Sequence, residues 1–292
     1  MNAPATAARA SDLTDQLALL EGRFAERSVG VAGGVVSYRT CGAGPATVVL
    51  LHGISSGAAS WLQCALALED GMRVVAWNAP GYGSSTPLPM ARPKATDYAT
   101  RLQQMLCALE ITDCVLVGHS LGALMAAAYI AGGDGRARRT LLADPAQGYG
   151  APAKRERARA VEEERLGALR TLGIAGMAAK RSRLLSAHAA DAHHDWVRWN
   201  MQRLDAGGYT QAVHLLCGDD IAGYLGAASR QGVSVACGAL DVVTTPEASE
   251  GLARQFDLPF TTVDAAGHAC YIEQPAVFAA LIREQFTQLN QN

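Results

Sequence analysis

Hydrophobic positions change period several times along the chain, and those changes divide it into segments. Near the start, Leu13, Leu17, Leu20 and Phe24 recur at helical spacing through SDLTDQLALLEGRFAER, which predicts a helix with Ser11 as its N-cap. SVGVAGGVVSYRT follows and reads as two short strands turning at Gly33-Gly34. From residue 46 onward, short apolar runs alternate with amphipathic ones. ATVVLLHG (46–53), MRVVAWNAPGYG, CVLVGHS and RRTLLADPA suit strands covered on both faces. AASWLQCALALED, TDYATRLQQMLCALE (capped on this reading by Thr96) and LGALMAAAYIAG read as helices. The alternation predicts an α/β fold: a mostly parallel sheet with helices on both faces.

The rhythm stops at Pro145. Residues 146–216 contain no buried strand pattern; they are charged, helical and interrupted by Gly. Strand and helix alternate again through VSVACGALD (233–241), TPEASEGLARQF, PFTTVDAAGH and a last helix from Gln274 to about Leu289. The expected organisation is a helical extension over 1–28, a core over 29–145 and 217–292, and a helical insertion over 146–216.

Composition narrows the class. With 25 Lys+Arg against 27 Asp+Glu, the chain has no basic footprint for nucleic acid or an anionic membrane. At 49% hydrophobic residues it is not a disordered chain. The 7 cysteines are odd in number and lack a C-x-x-C pair, so reduced thiols in a cytoplasmic protein are expected, without a disulfide framework or zinc site. The first 28 residues lack the basic start and apolar core of a signal peptide. Cys114 to Gly133 holds no Asp, Glu, Lys or Arg, yet Gly-His-Ser-Leu-Gly breaks it into strand, turn and helix, so no membrane span is expected. Neither Gly30-Val-Ala-Gly nor Gly42-Ala-Gly meets the dinucleotide-binding pattern.

Gly118-His119-Ser120-Leu121-Gly122 carries the strongest chemical signal. It lies between an apolar strand and a helix, where a sharp turn would expose the Ser120 hydroxyl at the sheet edge and the helix N-terminus would favour negative charge. A serine needs a base. Of the 7 histidines, His268 follows the last strand beside Gly267, in a loop able to reach Ser120. The base needs an acid to orient it. Asp241 ends a strand and gives the order Ser120, Asp241, His268. Asp144 ends the preceding strand and is the rival, but Pro145 commits its loop to the insertion. Asp264 and the pair Asp219-Asp220 are weaker candidates. The N–H groups of Leu121 and Ile54 are the expected oxyanion donors, with Gly53 allowing close approach and His52 bracing that loop.

LLHGISSGAASW, NAPGYGSS, VGHSLGALMA, CGALDVVTTPEAS and DAAGHACYIEQPAVF together resemble the α/β-hydrolase superfamily, over about residues 29–145 and 217–290. The tail looks especially like enol-lactone hydrolases, bacterial esterases and carbon–carbon bond hydrolases. The resemblance implies a nucleophile, acid and base at Ser120, Asp241 and His268, no cofactor or metal, and a helical cap in the insertion. It implies cleavage of a small carboxylic ester or lactone. The alternatives are carbon–carbon cleavage of a vinylogous diketone and a ligand-binding protein on the same fold. His52, Gly53, Trp61, Trp196 and Trp199 are the expected substrate contacts, with Arg198 and His194 near the tryptophan pair and Tyr82 and Met125 as further pocket residues. A small-molecule substrate is the expected partner.

Overall fold

The computed structural model describes residues 12–289. The strands are β1 (Glu26–Val31), β2 (Gly34–Cys41), β3 (Ala46–Leu51), β4 (Met72–Trp77), β5 (Cys114–His119), β6 (Ala137–Ala143), β7 (Val233–Gly238) and β8 (Phe260–Val263). They form one sheet in the order β1-β2-β4-β3-β5-β6-β7-β8. β1 and β2 form an antiparallel hairpin, β2 pairs antiparallel with β4, and every other pairing is parallel. The helices are α1 (Leu13–Arg23), α2 (Leu62–Leu68), α3 (Ala95–Ala108), α4 (Leu121–Ala131), α5 (Arg155–Ala179), α6 (Asp191–Gln202), α7 (Ala206–Gly218), α8 (Ile221–Ala227), α9 (Pro246–Gln255), α10 (Cys270–Glu273) and α11 (Pro275–Leu289).

The continuous apolar runs are explained by cover on both faces. Val49, Leu51 and Leu116 pack with Leu102, Leu124, Leu225 and Leu252, from α3, α4, α8 and α9. Val48, Leu50, Val115 and Val117 face the other way, onto Leu20, Leu62 and Phe278 from α1, α2 and α11. β5 lies between β3 and β6 and is buried along its whole length. Between β6 and β7 the chain forms only helical elements. α5 bends at Gly173 (φ 62°, ψ 178°), a backbone that glycine adopts without a Cβ penalty. The uncharged run 114–133 resolves into β5, a one-residue turn and α4, and among the described residues no helix is long and apolar enough to cross a membrane.

Three local expectations shift. The hairpin turns at Ala32-Gly33, with Gly34 already paired to Val31. The Asp12 carboxylate accepts the Asp15 N–H at 3.0 Å and caps α1; Ser11 lies outside the described residues. Thr96 sits inside the first turn of α3, because the Asp97 carboxylate reaches back to the Lys94 N–H (2.7 Å) and makes Lys94 the cap position.

Parallel strands align their C-terminal ends, and ligands collect at that edge. Here the edge receives the loop after β3, Ser120 after β5, Asp144 after β6, Asp241 after β7 and His268 after β8. Gly122 fixes how closely α4 approaches it. A Cβ there would fall 2.8 Å from the His52 carbonyl oxygen and closer still to that of Leu51, both backbone atoms that cannot swing away. Gly122→Ala is therefore expected to destabilise the fold by about 3 kcal/mol, as overpacking does. That would lower the thermal midpoint by about 6–12 °C. An unchanged midpoint would show that α4 slides freely on β3.

Candidate active site

Ser120 occupies a backbone conformation that non-glycine residues rarely adopt, φ 54° and ψ −116°. Such a conformation costs on the order of 1–3 kcal/mol and needs its surroundings to enforce it. Three hydrogen bonds do so: the Ser120 N–H to the Ala143 carbonyl (2.9 Å), and the N–H groups of Ala123 (3.0 Å) and Ala146 (3.1 Å) to the Ser120 carbonyl. The end of β6, α4 and the exit of β6 thus hold the residue from three sides. Leu121 opens α4, where backbone N–H groups have no intrahelical acceptor. Gly53 lies against the serine: a Cβ on it would stand 3.0 Å from Ser120 Cβ and 3.4 Å from its Oγ. The loop carrying Ile54 therefore passes directly beside Ser120.

His268 is buried, and its Nδ1 lies 2.8 Å from Asp241 Oδ2. Thr244 fixes that carboxylate. Its hydroxyl donates to Asp241 Oδ2 (2.8 Å) and stands 3.1 Å from His268 Nδ1, while the N–H groups of Val243 (2.6 Å) and Thr244 (3.1 Å) both donate to Asp241 Oδ1. Burial pushes the Asp241 carboxyl up. The His268 hydrogen bond and charge, with the Val243 and Thr244 bonds, outweigh burial and hold it below the ordinary carboxylate range. An ionised Asp241 accepts the Nδ1–H of His268, and in that tautomer the imidazole has Nε2 free to accept a proton. Ser120 and His268 line one cavity of about 340 Å³. Among the described residues the Ser120 hydroxyl has no hydrogen-bond partner; serine–imidazole contacts of this kind are often long in free enzymes and tighten with substrate.

Two other histidines brace the site. His52 Nε2 accepts the Ala79 N–H (3.0 Å), so its Nδ1–H donates to the Gly53 carbonyl (2.8 Å). Burial lowers its pKa to about 4. His119 donates from Nε2 to the His268 carbonyl (2.7 Å) and ties the residue before the nucleophile to the loop of the base. Burial and the His268 charge lower it to about 3, so its 3.9 Å approach to Asp144 is not an ion pair. Asp144 itself accepts the Gly238 N–H (2.8 Å) and the Cys270 thiol (3.0 Å). Asp144, Cys237 and Asp241 bring donor atoms within 4.8 Å of one another, the one such metal-sized group among the described residues. The two carboxylates already accept the hydrogen bonds above, and the Cys237 thiol, which burial pushes far up and so keeps protonated, donates to the Thr244 carbonyl (3.4 Å).

The expected substrate contacts divide. Gly53 lines the cavity; His52, Trp61, Trp196, Trp199, Tyr82 and Met125 do not. Trp61 lies beneath the wall, stacked on Tyr271 at 3.9 Å. Trp196 is buried against that layer, with Nε1 donating to the Ser60 carbonyl (3.4 Å), and Trp199 stacks on its outer side (5.1 Å) under Arg203. Arg198 pairs with Asp195 at 3.0 Å, and neither it nor His194 reaches the cavity. The insertion contributes Lys154, Arg165, Val197 and Asn200 to the wall instead. Lys154 is paired with Asp220 (3.0 Å), whereas Arg165 has no carboxylate partner among the described residues and reaches only the Tyr209 hydroxyl (3.4 Å). Of the residues missed, Thr244 was visible in G-x-x-D-x-x-T; Arg165 and His119 had no local signal.

The profile of the alpha/beta hydrolase family matches residues 48–281. The chain is 31% identical over 134 residues to the 2-hydroxy-6-oxononadienedioate/2-hydroxy-6-oxononatrienedioate hydrolase 2 of Pseudomonas putida, covering 44% of this chain and 47% of that protein. The match to hydrolase 1 of the same name from Dechloromonas aromatica (strain RCB) is 30% over 109 residues, 36% of this chain and 38% of that one, so the chain spans under half the length of these curated relatives. The enol-lactonase of Burkholderia xenovorans LB400 superposes with TM-score 0.77 at 21% identity, over 89% of this chain and 100% of that one. At that identity the likeness is one of fold. With the profile matching well over half its length, the chain belongs to the alpha/beta hydrolase family.

Proposed function

We propose that this hydrolase works through an acyl-enzyme on Ser120 and that its substrate is a small carboxylic ester or lactone. The observation that carries the reading is the Asp241–His268 hydrogen bond, set in the cavity that Ser120 enters from its strained turn. His268 Nε2 takes the Ser120 proton as Oγ bonds to the carbonyl carbon, and the N–H groups of Ile54 and Leu121 receive the charge that develops on oxygen. The proton passes to the departing alkoxide. Water then bonds to the acyl carbon and gives a proton to His268 Nε2, which passes it to Ser120 Oγ as the acyl–Oγ bond breaks, so the acid leaves with Ser120 restored. Labelling with a fluorophosphonate probe tests the nucleophile, and a panel of esters, lactones, thioesters and diketones tests the bond. Turnover of the diketone alone would overturn the ester assignment.

A second reading, carbon–carbon cleavage of a vinylogous diketone, is favoured by the names of the matched relatives. Both readings accommodate a carboxylate on the substrate, as in those dioates, and Arg165 supports one. It lines the cavity from α5 without an acidic partner among the described residues, and a guanidinium binds carboxylates in bidentate fashion. Arg165→Gln is expected to raise KM for mono-p-nitrophenyl succinate about tenfold while moving that for p-nitrophenyl butyrate far less. Equal changes for both esters would remove Arg165 from recognition. All seven cysteines are free, six of them buried, which supports a reducing, cytoplasmic setting.

A further inference from the structure

The cavity wall opposite in character to Arg165 is made of hydroxyls. Ser56, Ser60 and Tyr271 are all buried side chains, and all three line the cavity. Ser56 and Ser60 come from the segment that follows the oxyanion loop, Tyr271 from three residues beyond His268. The Tyr271 ring is held between Trp61 (3.9 Å, stacked) and His119 (4.8 Å, edge-on), which fixes its hydroxyl in the wall beside the nucleophile's turn.

The protons of this cluster can be followed one by one. The Ser60 hydroxyl donates to the Gly57 carbonyl at 2.7 Å. The Ser56 hydroxyl donates to Ser60 Oγ at 2.7 Å, and the Tyr271 hydroxyl donates to the same oxygen at 3.0 Å. Ser60 Oγ thereby gives one bond and accepts two, the full capacity of a hydroxyl. Burial pushes the Tyr271 phenol up to about 12, so it keeps its proton for this bond. All three protons are thus taken up by Ser60 Oγ and the Gly57 carbonyl. What remains free are lone pairs on Ser56 Oγ and Tyr271 Oη, which stand 3.3 Å apart. A buried acceptor without a donor costs free energy, and two adjacent ones are satisfied together by a single group with a proton to give.

We propose that Ser56 and Tyr271, wired by Ser60, form a subsite for a hydrogen-bond donor on the substrate, a hydroxyl on the chain of the ester. The proposal rests on the ester reading for its substrate and adds to it a polarity: hydroxyl against the Ser56–Tyr271 wall, carboxylate toward Arg165. A carboxylate or bare carbonyl at the wall would meet lone pairs and would have to break a bond to Ser60 to find a proton.

The test compares p-nitrophenyl butyrate with its 2-, 3- and 4-hydroxy derivatives in the wild type, Ser56→Ala and Tyr271→Phe. The readout is the ratio of kcat/KM for each hydroxy ester to that for the plain one. The wild type is expected to favour at least one hydroxy ester by about tenfold, the worth of one good hydrogen bond, and each variant to bring that ratio toward one. Ratios near one for all three hydroxy esters in the wild type, or a preference that both variants retain, would overturn the proposal. Calorimetric titration of Ser120→Ala protein with the methyl esters of the same acids reads binding without turnover. If the wild type hydrolyses none of the esters, the ester reading fails; the subsite then stands if a hydroxy ester binds more tightly than methyl butyrate and falls if none does.

Discussion

Ser120→Ala is expected to lower kcat on any hydrolysed substrate by about 10⁴–10⁶, leave KM within a few-fold, and abolish fluorophosphonate labelling. The size of the effect follows from how much of the local structure serves that one hydroxyl. The backbone at Ser120 is held at φ 54° by hydrogen bonds from β6, α4 and the β6 exit, and Gly118 and Gly122 leave room for the turn. A Cβ on Gly118 would press to 2.7 Å from the Cα of Ala123. Alanine has the same Cβ as serine and loses only an oxygen that bonds to no described residue. The fold should therefore survive with its thermal midpoint within about 2 °C, the range of an innocuous substitution. Removing the nucleophile leaves the oxyanion donors and the cavity, which by themselves retain a residual rate over water. A variant that keeps turnover within tenfold of the wild type would show that the chemistry does not pass through Ser120.

Much of this geometry was legible beforehand, for a reason that varies with the residue. Ser120, Asp241 and His268 each follow a strand pattern, and parallel strands bring their following loops to one edge whatever the intervening chain does. The order of the strands is not in the pattern: that β4 lies outside β3 while β5 lies inside it is a matter of tertiary crossover. The insertion resisted reading because a helix shows which residues share its face and not what that face meets. Trp196 and Trp199 do share a face, as their stacking shows, yet that face turns to the Trp61 layer and not to the cavity. Arg165 sits among Glu162, Glu163 and Glu164 and reads as one more solvated charge. Only the fold separates it from them: Glu162 pairs with Arg92 (2.6 Å), Glu163 with Arg170 (2.6 Å), and Arg165 with no acid among the described residues. His119 reads as a spacer in the pentapeptide, and its bond to the His268 carbonyl joins residues 149 positions apart.

The two buried acids at the sheet edge should respond to substitution in opposite ways. Asp241 touches His268, and Asp144 reaches it only through their charges. Asp241→Asn should cut kcat by about 10⁴, because an amide neither holds the imidazole in the required tautomer nor balances the imidazolium charge. The Thr244 hydroxyl, 3.1 Å from Nδ1, would still steady the ring but supplies no charge, so KM should move little. Asp144→Asn should cost less than about tenfold in kcat, since it removes a charge and not a partner of the base. Its larger effect is on stability. Burial, aided by the Asp241 charge and opposed by that of His268, raises the Asp144 carboxyl to about 7. A carboxyl whose folded pKa lies above its unfolded value stabilises the fold most while protonated. That contribution is full below about pH 4 and is lost as pH climbs toward the folded value. An asparagine carries no such dependence. The midpoint of Asp144→Asn relative to the wild type should therefore rise between pH 5 and pH 8, most steeply below pH 7. Thermal melts across that range, run beside the two kinetic assays, check both halves. A flat difference in midpoint would mean that Asp144 is ionised throughout. A loss of kcat larger in Asp144→Asn than in Asp241→Asn would make Asp144 the acid that serves His268.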